Sequence, residues 1–209
     1  MRFGFEDGGI EGGGLGKRGS GPPRSRAEPG PSSYHRMTPK SPPPSHPLEV
    51  IIRPAVPADL PALGRLGALL VGLHHDLDPA CFIPAGPDTE RGYAAWLGTQ
   101  LGKPSVVVFV AEQDGEVIGY TYADVEGYDY MALRGPAGEL HDIMVDPARR
   151  GGGVGRKLLD TTLAALKARG APRVVLSTAA GNVAAQRLFA SVGFRTTMHE
   201  MTRELNGEE

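Results

Sequence analysis

The sequence contains a single cysteine, Cys81, among 209 residues. One thiol excludes an internal disulfide framework and any zinc site built on several cysteines. Long apolar runs are also missing, since no stretch approaches the roughly 18 residues that a membrane-spanning helix needs. No apolar stretch follows Lys17 and Arg18, so the sequence does not predict a secretory signal. We therefore expect a cytoplasmic protein with no membrane partner.

An excess of charge of either sign is absent as well. The formal net charge is −2, which gives no global indication of binding to nucleic acid or to an anionic membrane. Hydrophobic residues make up 40% and charged residues 22% of the chain, a composition typical of globular proteins. The length suffices for one domain with a full core.

Glycine and proline are abundant, with 30 and 19 residues, and many of them lie in the first 47 positions. This segment has too few apolar residues to offset the entropy of ordering it, so we predict a disordered tail over residues 1–47 and a folded domain over 48–207. A basic arm for nucleic acid is the alternative, but acidic residues interrupt its positive charges. Translation starting at Met37 is a further alternative, in which residues 1–36 are not part of the native protein.

The hydrophobic pattern from residue 48 onward predicts a mixed α/β domain in the order β-α-α-β-β-β-α-β-α-β. Asp114-Gly115 predicts a tight hairpin turn, and Gly170 is a helix stop signal. The predicted strands are Glu49–Arg53, Ser105–Ala111, Glu116–Asp124, Glu139–Val145, Arg173–Ser177 and one or more within Phe194–Leu205. The predicted helices are Asp59–Asp76, a second from Asp88 or Thr89 to Gln100, Val154–Arg169 and Asn182–Val192.

A glycine cluster lies where a predicted strand ends and a predicted helix begins. Backbone N–H groups at a helix start have no partner inside the helix, and together with the helix dipole they bind phosphate oxygens. Glycines let the backbone approach a pyrophosphate without a Cβ in the way. The turn consists of Arg150, Gly151, Gly152, Gly153, Val154 and Gly155, and Arg156 follows it.

Two common phosphate-binding fingerprints do not fit this turn. A P-loop needs Ser or Thr after its lysine, but Leu158 follows Lys157. A dinucleotide fingerprint needs a third glycine where Arg156 stands. The pattern Arg/Gln-x-x-Gly-x-Gly/Ala matches fully at Arg150, Gly153 and Gly155. A glycine-rich turn without any ligand remains the alternative.

With this motif the chain resembles the GNAT superfamily, the Gcn5-related N-acetyltransferases, over about residues 48–205. The segment from Val145 to Gly155 looks like that family's acetyl-CoA motif. The block Asn182-Val183-Ala184-Ala185-Gln186-Arg187-Leu188-Phe189, ending in Val192-Gly193-Phe194, resembles its Asn-x-x-Ala-x-x-Leu-Tyr…Gly-Phe helix. The resemblance implies the GNAT fold, a mixed and mostly antiparallel sheet flanked by helices.

The resemblance also implies a reaction. An amine and acetyl-CoA bind together, and the amine attacks the thioester directly, without an acyl-enzyme and without a metal. The backbone of Ile143, Met144 and Val145 is expected to pair with the pantetheine arm, and Asn182 is expected near the pantetheine or the sulfur. The chain is expected to be a monomer or a homodimer, and its acceptor amine carries no motif that identifies it.

Something must accept the proton of the amine. Glu139 is the first candidate, because its distance from the glycine turn is similar to that of the catalytic glutamate in Gcn5-like histone acetyltransferases. His141 is the alternative base: it lies two residues on, so we expect it on the same side of the sheet, with a pKa near physiological pH. Asp142 is expected on the opposite face. For each candidate, the alternative is an ordinary strand residue whose polar group reaches solvent.

Phe189 departs from the family pattern. Many members have a tyrosine here, which protonates the leaving thiolate, and phenylalanine has no proton to give. Tyr120, Tyr122 or water are alternative proton donors, or the thiolate leaves unprotonated. The departure keeps a rival hypothesis open, a non-catalytic module that binds acyl-CoA on the same fold. A nucleotide-binding protein that uses the glycine turn is a third hypothesis.

Overall fold

The computed structural model describes residues 49–205. The predicted tail, residues 1–47, and the alternative start at Met37 lie outside the described residues, as do the predicted domain limits at 48 and 207. None of the described helices combines the length and the apolarity needed to cross a membrane.

Within residues 49–205, five strands form one sheet, and they follow each other in chain order. The first four pair antiparallel, and the fifth pairs parallel to the fourth. This confirms the predicted mixed, mostly antiparallel sheet. The strands are β1 (Ile51–Pro54), β2 (Val106–Gln113), β3 (Glu116–Glu126), β4 (Ala137–Val145) and β5 (Val174–Leu176).

Four α-helices in the described range cover both faces of this sheet. One pair packs on a core that includes Leu63, Leu97 and Tyr120, and this side is called the α1/α2 face. The other pair packs on a core that includes Leu159 and Phe189, and this side is called the α3/α4 face. The helices are α1 (Leu60–Leu77), α2 (Thr89–Gly98), α3 (Val154–Ala168) and α4 (Val183–Ser191), close to the predicted bounds.

The α1 and α2 helices approach each other closely through small residues. A Cβ added at Gly67 in α1 would overlap the ring of Tyr93 in α2. The glycine therefore lets Tyr93 lie flat against α1 and extend its hydroxyl toward β4, where it donates a hydrogen bond of 2.6 Å to Asp142.

The predicted final strand within Phe194–Leu205 is wrong. Residues 195–205 form neither strand nor helix, and every one of them is exposed. A strand exists only by pairing with another backbone, and this segment finds no such partner among residues 49–205. Residues that favour strands have side chains that fit a pleated, half-buried surface. Their presence in a segment does not provide the neighbouring strand that the segment needs.

Candidate active site

The glycine turn joins β4 to α3 and opens with one turn of 3₁₀ helix at Pro147–Arg149. Gly151 and Gly153 have φ angles of 89° and 76°, in the left-handed region that glycine adopts without a steric clash. A Cβ built on Gly151, Gly152 or Gly153 would meet no atom within 4 Å. The backbone of the turn is therefore accessible to a ligand.

The N–H groups of this turn are available for hydrogen bonds. Lys157 N–H makes the first bond of the helix ladder, to Gly153 O at 3.1 Å. In the part of the chain that the structure describes, no backbone N–H from residue 151 to 156 donates a hydrogen bond. Unpaired donors at the positive end of a helix dipole form an anion-binding site. The turn thus offers free N–H donors of the kind that bind anions, and its contact with a pyrophosphate stays a prediction.

Asp146 fixes the start of the turn. Its side chain accepts a hydrogen bond of 3.0 Å from Ala148 N–H and one of 2.8 Å from the Arg65 guanidinium on α1. The Arg65 hydrogen bond, and then that of Ala148, hold the pKa of Asp146 below its usual range. The turn is therefore tied to α1 by an ionised carboxylate.

β4 has an edge without a neighbouring strand in the described residues. Its pairing with β5 extends only from Gly138 to Leu140, whereas β4 itself continues to Val145. β5 ends at Leu176, opposite Leu140, so backbone groups of Ile143, Met144 and Val145 on the side away from β3 have no strand to pair with among the described residues. Met144 is buried, so this edge offers a ligand its backbone more than its side chains.

A β-bulge in β4 determines which side chains share the site. Tyr122 on β3 pairs with Asp142, and Ala123 pairs with Leu140, so His141 has no partner across the ladder. Such an extra residue breaks the strict alternation of side chains.

The bulge places His141 and Asp142 on the same α1/α2 face, although they are consecutive. The ring of His141 stacks on Tyr122 at 4.7 Å between centroids, and Asp142 accepts a hydrogen bond of 3.1 Å from Tyr120. Tyr120 and Tyr122 both belong to the core of that face. The prediction that Asp142 faces the opposite side is therefore wrong, because it assumed an unbroken strand.

His141 and Asp124 form a hydrogen-bonded pair. His141 Nε2 lies 3.0 Å from Asp124 Oδ1, and each side chain is 19% exposed, so solvent and small ligands reach both. Burial lowers the pKa of His141, but the hydrogen bond and the charge of Asp124, together with the charges of Glu139 and Asp142, raise it more, and the net pKa is above its usual value. The pair has the form of a general base held by a carboxylate.

Glu139 lies on the same face as His141, as predicted, but it is engaged by neighbours. Arg134 approaches it with 3.5 Å between guanidinium nitrogen and Oε2. Glu126 on β3 is hydrogen-bonded to it, and burial first, then the charge of Glu139, raise the pKa of Glu126.

Asp142 lies at the centre of a polar network beneath the site. Its carboxylate accepts hydrogen bonds from Tyr93 and Tyr120. Burial raises the pKa of Asp142, while the two donated hydrogen bonds counteract it. Burial also raises the pKa of Tyr120 and raises the pKa of Tyr122 to about 12. These tyrosines were the candidate proton donors, and both rings are buried, with exposures of 0% and 3%.

The two predicted residues in the last helix have structural contacts. Asn182 caps α4, since its side-chain oxygen accepts a hydrogen bond of 3.1 Å from Ala185 N–H. Phe189 is 6% exposed and packs edge-on against Phe194 at 5.8 Å. Their contacts with a cofactor stay predictions.

Three side chains in the described range form a group that is able to hold a metal ion. The ligand atoms of Asp124, Glu126 and His141 lie within 4.8 Å of one another. The sequence predicted no metal site, and that prediction stays untested. Asp124, Glu126, Tyr93 and Arg134 were not predicted as site residues. The alternation of Asp124 and Glu126 at the end of β3 was the available signal, because residues i and i+2 share a face.

A family model described as "Acetyltransferase (GNAT) family" matches residues 71–194. The chain belongs to this family. The predicted GNAT fold and family are thereby confirmed. The matched range includes α2 to α4, β2 to β5 and the glycine turn, so all the site residues described above except Arg65 lie inside the GNAT match.

Two relatives show how far the likeness of this GNAT chain extends. A mycothiol acetyltransferase of Thermobispora bispora is 41% identical over 100 residues, which are 46% of this chain and 32% of that protein. The chain thus spans about a third of that relative's length. An uncharacterized N-acetyltransferase of Archaeoglobus fulgidus is 32% identical over 105 residues, which are 50% of this chain and 69% of that protein.

Among solved structures, an aminoglycoside N-acetyltransferase in complex with CoA aligns with a TM-score of 0.59. It is 20% identical, and the alignment covers 78% of this chain and 99% of that one. At this level of identity the likeness shows that the two proteins share the GNAT fold.

Proposed function

We propose that this chain is an acetyl-CoA-dependent N-acetyltransferase, which transfers the acetyl group directly to a primary amine in a ternary complex. One observation carries the proposal: β4 connects a backbone surface suited to the cofactor with a side-chain surface suited to an amine. The unpaired edge of β4 leads into the glycine turn, and its α1/α2 face presents His141 and Asp124.

The cofactor binds along this backbone surface. Its pyrophosphate accepts hydrogen bonds from the N–H groups of residues 151–156, and Arg150 and Arg156 add positive charge nearby. The pantetheine amides pair with the edge of β4 at Ile143, Met144 and Val145. In this structure Arg150 Nε donates a hydrogen bond of 3.1 Å to Val145 O, so that carbonyl is an accessible acceptor. A solved structure with the same fold is a complex with CoA, which supports the choice of CoA as the ligand.

His141 is the base in this mechanism. A free alkylamine is protonated at neutral pH, with a pKa of about 10, so the ammonium must lose a proton before it attacks. His141 accepts that proton, and Asp124 stabilises the imidazolium that forms. Glu139 is the second candidate, but its carboxylate already interacts with Arg134 and Glu126.

The bond changes follow from these positions. The amine nitrogen attacks the thioester carbonyl carbon, a backbone N–H stabilises the oxyanion, and the carbon–sulfur bond then breaks. CoA leaves as a thiolate, and the attacking nitrogen passes its second proton to that thiolate through water, because Phe189 has none to give and the hydroxyl of Tyr120 already donates to Asp142.

The acceptor is a cationic amine. Three partly exposed carboxyl groups of the described residues lie on the α1/α2 face of β3 and β4, and Arg134 pairs with one of them. Such a face attracts an ammonium group and disfavours an anionic acceptor. The three are Asp124, Glu126 and Glu139.

The test combines ligand binding with turnover. CoA should raise the midpoint of thermal unfolding while ATP and NAD do not, because only a ligand that binds the native state stabilises it. Release of free CoA thiol from acetyl-CoA should then depend on added cationic amines. Binding of CoA without turnover across a broad amine panel would favour the non-catalytic module. Stabilisation by ATP or NAD instead of CoA would favour the nucleotide-binding hypothesis.

A further inference from the structure

The hydroxyl group of Tyr93 joins helix α2 to the strand that carries the candidate base. It donates a hydrogen bond of 2.6 Å to Asp142 Oδ2, and the hydroxyl of Tyr120 on β3 donates one of 3.1 Å to the same oxygen. One carboxylate thus connects α2, β3 and β4. The mechanism proposed above assigns no step to this carboxylate, so its role is open.

The two hydrogen bonds to Asp142 depend on the register of β4. Tyr122 pairs with Asp142 and Ala123 pairs with Leu140, which leaves His141 as the extra residue of the bulge. In an unbroken strand, consecutive side chains face opposite sides of the sheet. The bulge keeps both His141 and Asp142 on the α1/α2 face. Hydrogen bonds that hold Asp142 on this face therefore also stabilise the register that places His141 there.

A series of ring contacts also leads from Tyr93 to His141. Tyr93 contacts Trp96 edge-on at 6.3 Å between ring centroids, and Trp96 contacts Tyr122 edge-on at 5.0 Å. Tyr122 then stacks on the ring of His141 at 4.7 Å. Helix α2 is thus connected to the imidazole by packing as well as through the carboxylate of Asp142.

The packing of α1 on α2 keeps Tyr93 in place. Gly67 on α1 has no side chain, and an added Cβ would overlap the ring of Tyr93. The ring therefore lies directly against the backbone of α1, and its hydroxyl keeps its position while the two helices stay packed.

We infer that Tyr93 and Asp142 are positioning residues for His141, because they hold the bulge of β4 in the register that directs the imidazole toward the acceptor amine. The inference rests on the proposed role of His141 as the base, since a base transfers a proton efficiently only when it is held within reach of it. Asp142 acts through the strand, and Tyr93 acts through Asp142. A contribution to folding stability alone is the competing explanation.

Removal of one hydroxyl separates these explanations. Tyr93→Phe keeps the ring that packs on Gly67 and Trp96, and we expect kcat with a cationic amine to fall about 10–100-fold while KM for acetyl-CoA is unchanged. The matched control is Thr162→Val, which removes a buried hydroxyl that lies 2.7 Å from Thr121 Oγ1 on the α3/α4 face. The control should lose stability in thermal unfolding but keep its kcat. An equal loss of kcat in both variants, or a loss in neither, would overturn the inference.

A double-mutant cycle shows whether Tyr93 acts through His141. Tyr93→Phe should lower kcat in the parent protein but not in His141→Gln, because the group that it positions is then missing. The same fold-loss in both backgrounds would mean that the Tyr93 hydroxyl acts on the reaction by another route, which contradicts the inference.

Two substitutions of Asp142 test whether its hydrogen bonds matter. Asp142→Asn keeps an oxygen that accepts hydrogen bonds from both hydroxyls, whereas Asp142→Leu removes every acceptor. We expect Asp142→Asn to retain clearly more of the parent kcat than Asp142→Leu. An equal loss in the two variants would show that the charge of Asp142, and not its position as an acceptor, supports the reaction.

The NMR signal of the His141 ring tests positioning without turnover. Its chemical shift depends on the stacked ring of Tyr122, and the signal that disappears in His141→Gln identifies it among the histidines. Tyr93→Phe should move this signal, and Thr162→Val should leave it in place; an unmoved signal in Tyr93→Phe would overturn the inference. A fully active His141→Gln would instead contradict the proposed base, and the signal would still show whether Tyr93 positions the ring.

Discussion

The glycine turn follows the end of β4, the α1/α2 face lies along the same strand, and in the proposed function the two bind ligands by different means. The turn presents backbone N–H groups whose positions follow from glycine φ angles and the start of α3. The face presents side chains whose orientation depends on a bulge and on contacts with distant residues. Ligand binding by backbone groups tolerates substitution of side chains. Ligand binding by side chains depends on the register of the strand.

The largest expected effect separates the two candidate bases on that face. His141→Gln should lower kcat/KM by about 10²–10⁴-fold, because it removes the group that accepts the amine proton. Glu139→Gln should lower kcat/KM less, because Arg134 and Glu126 already interact with the Glu139 carboxylate. Kinetics with one responsive amine measures both.

The control for this comparison is CoA binding, which neither substitution should alter, since both residues lie on the amine side. A full loss of turnover in Glu139→Gln together with normal turnover in His141→Gln would assign the base to Glu139.

Paired glycine substitutions test the turn. Gly152→Ala places a methyl group in open space at a residue without positive φ, so the free energy of unfolding should stay within about 0.5 kcal/mol. CoA affinity should still fall about tenfold, or about 1.4 kcal/mol, because the methyl group occupies the space the pyrophosphate needs. Isothermal titration with CoA and denaturant unfolding measure the two quantities.

The matched variant at the neighbouring position should behave differently. Gly153→Ala forces alanine into a φ of 76°, which costs about 1–2 kcal/mol of folding stability in addition to any effect on CoA. Equal CoA affinity in Gly152→Ala and the parent protein would mean that the pyrophosphate binds elsewhere.

Asp124→Asn should move the pH dependence of the reaction. Asp124 raises the pKa of His141, and a base must be unprotonated, so activity rises as the pH increases through that pKa. Without the carboxylate the pKa of His141 falls, and the rising limb of kcat/KM against pH should move to lower pH. Asp114→Asn, at the hairpin turn, is the control and should leave the limb in place.

The smallest effect concerns the link between the turn and α1. Asp146→Asn should cost about 1 kcal/mol of unfolding free energy near neutral pH, by removing the ion pair with Arg65 and weakening the cap on Ala148. Because the pKa of Asp146 is lowered in the folded state, its contribution is present above the unfolded pKa of about 3.9. It is lost as the pH falls through the folded value.

Denaturant unfolding at several pH values checks this prediction. The difference between Asp146→Asn and the parent protein should shrink in acid. Glu116→Gln removes an ion pair with Arg149 in which the glutamate is 69% exposed, and it should have almost no effect at any pH. A constant difference down to strong acid would mean that the ion pair is not the cause.

The same contrast explains which features the sequence could predict. Helices and paired strands follow from local apolar spacing, and the turn follows from consecutive glycines, so both were predicted close to their observed bounds. The bulge at His141 is a property of pairing between two strands, and no local pattern marks it.

Contacts between residues distant in sequence could not be predicted either. Asp124 lies 17 residues from His141, and Tyr93 lies 49 residues from Asp142; only the folded sheet and the close packing of α2 on α1 bring them together. Residues 195–205 favour a strand by composition, but no strand lies beside them in the described chain. A local pattern indicates what a segment is able to form, while its neighbours decide whether it forms.

The bulge in β4 also has an evolutionary consequence. Insertion or deletion of one residue at this point would change which side chain meets the amine, while the sheet, the glycine turn and the cofactor surface stay as they are. Acceptor chemistry can therefore diverge among relatives through a change in length, without substitution of the base itself. Alignments that match this strand letter by letter would pair residues that face opposite sides, so transfer of an acceptor from one relative to another requires the strand register as well as the sequence.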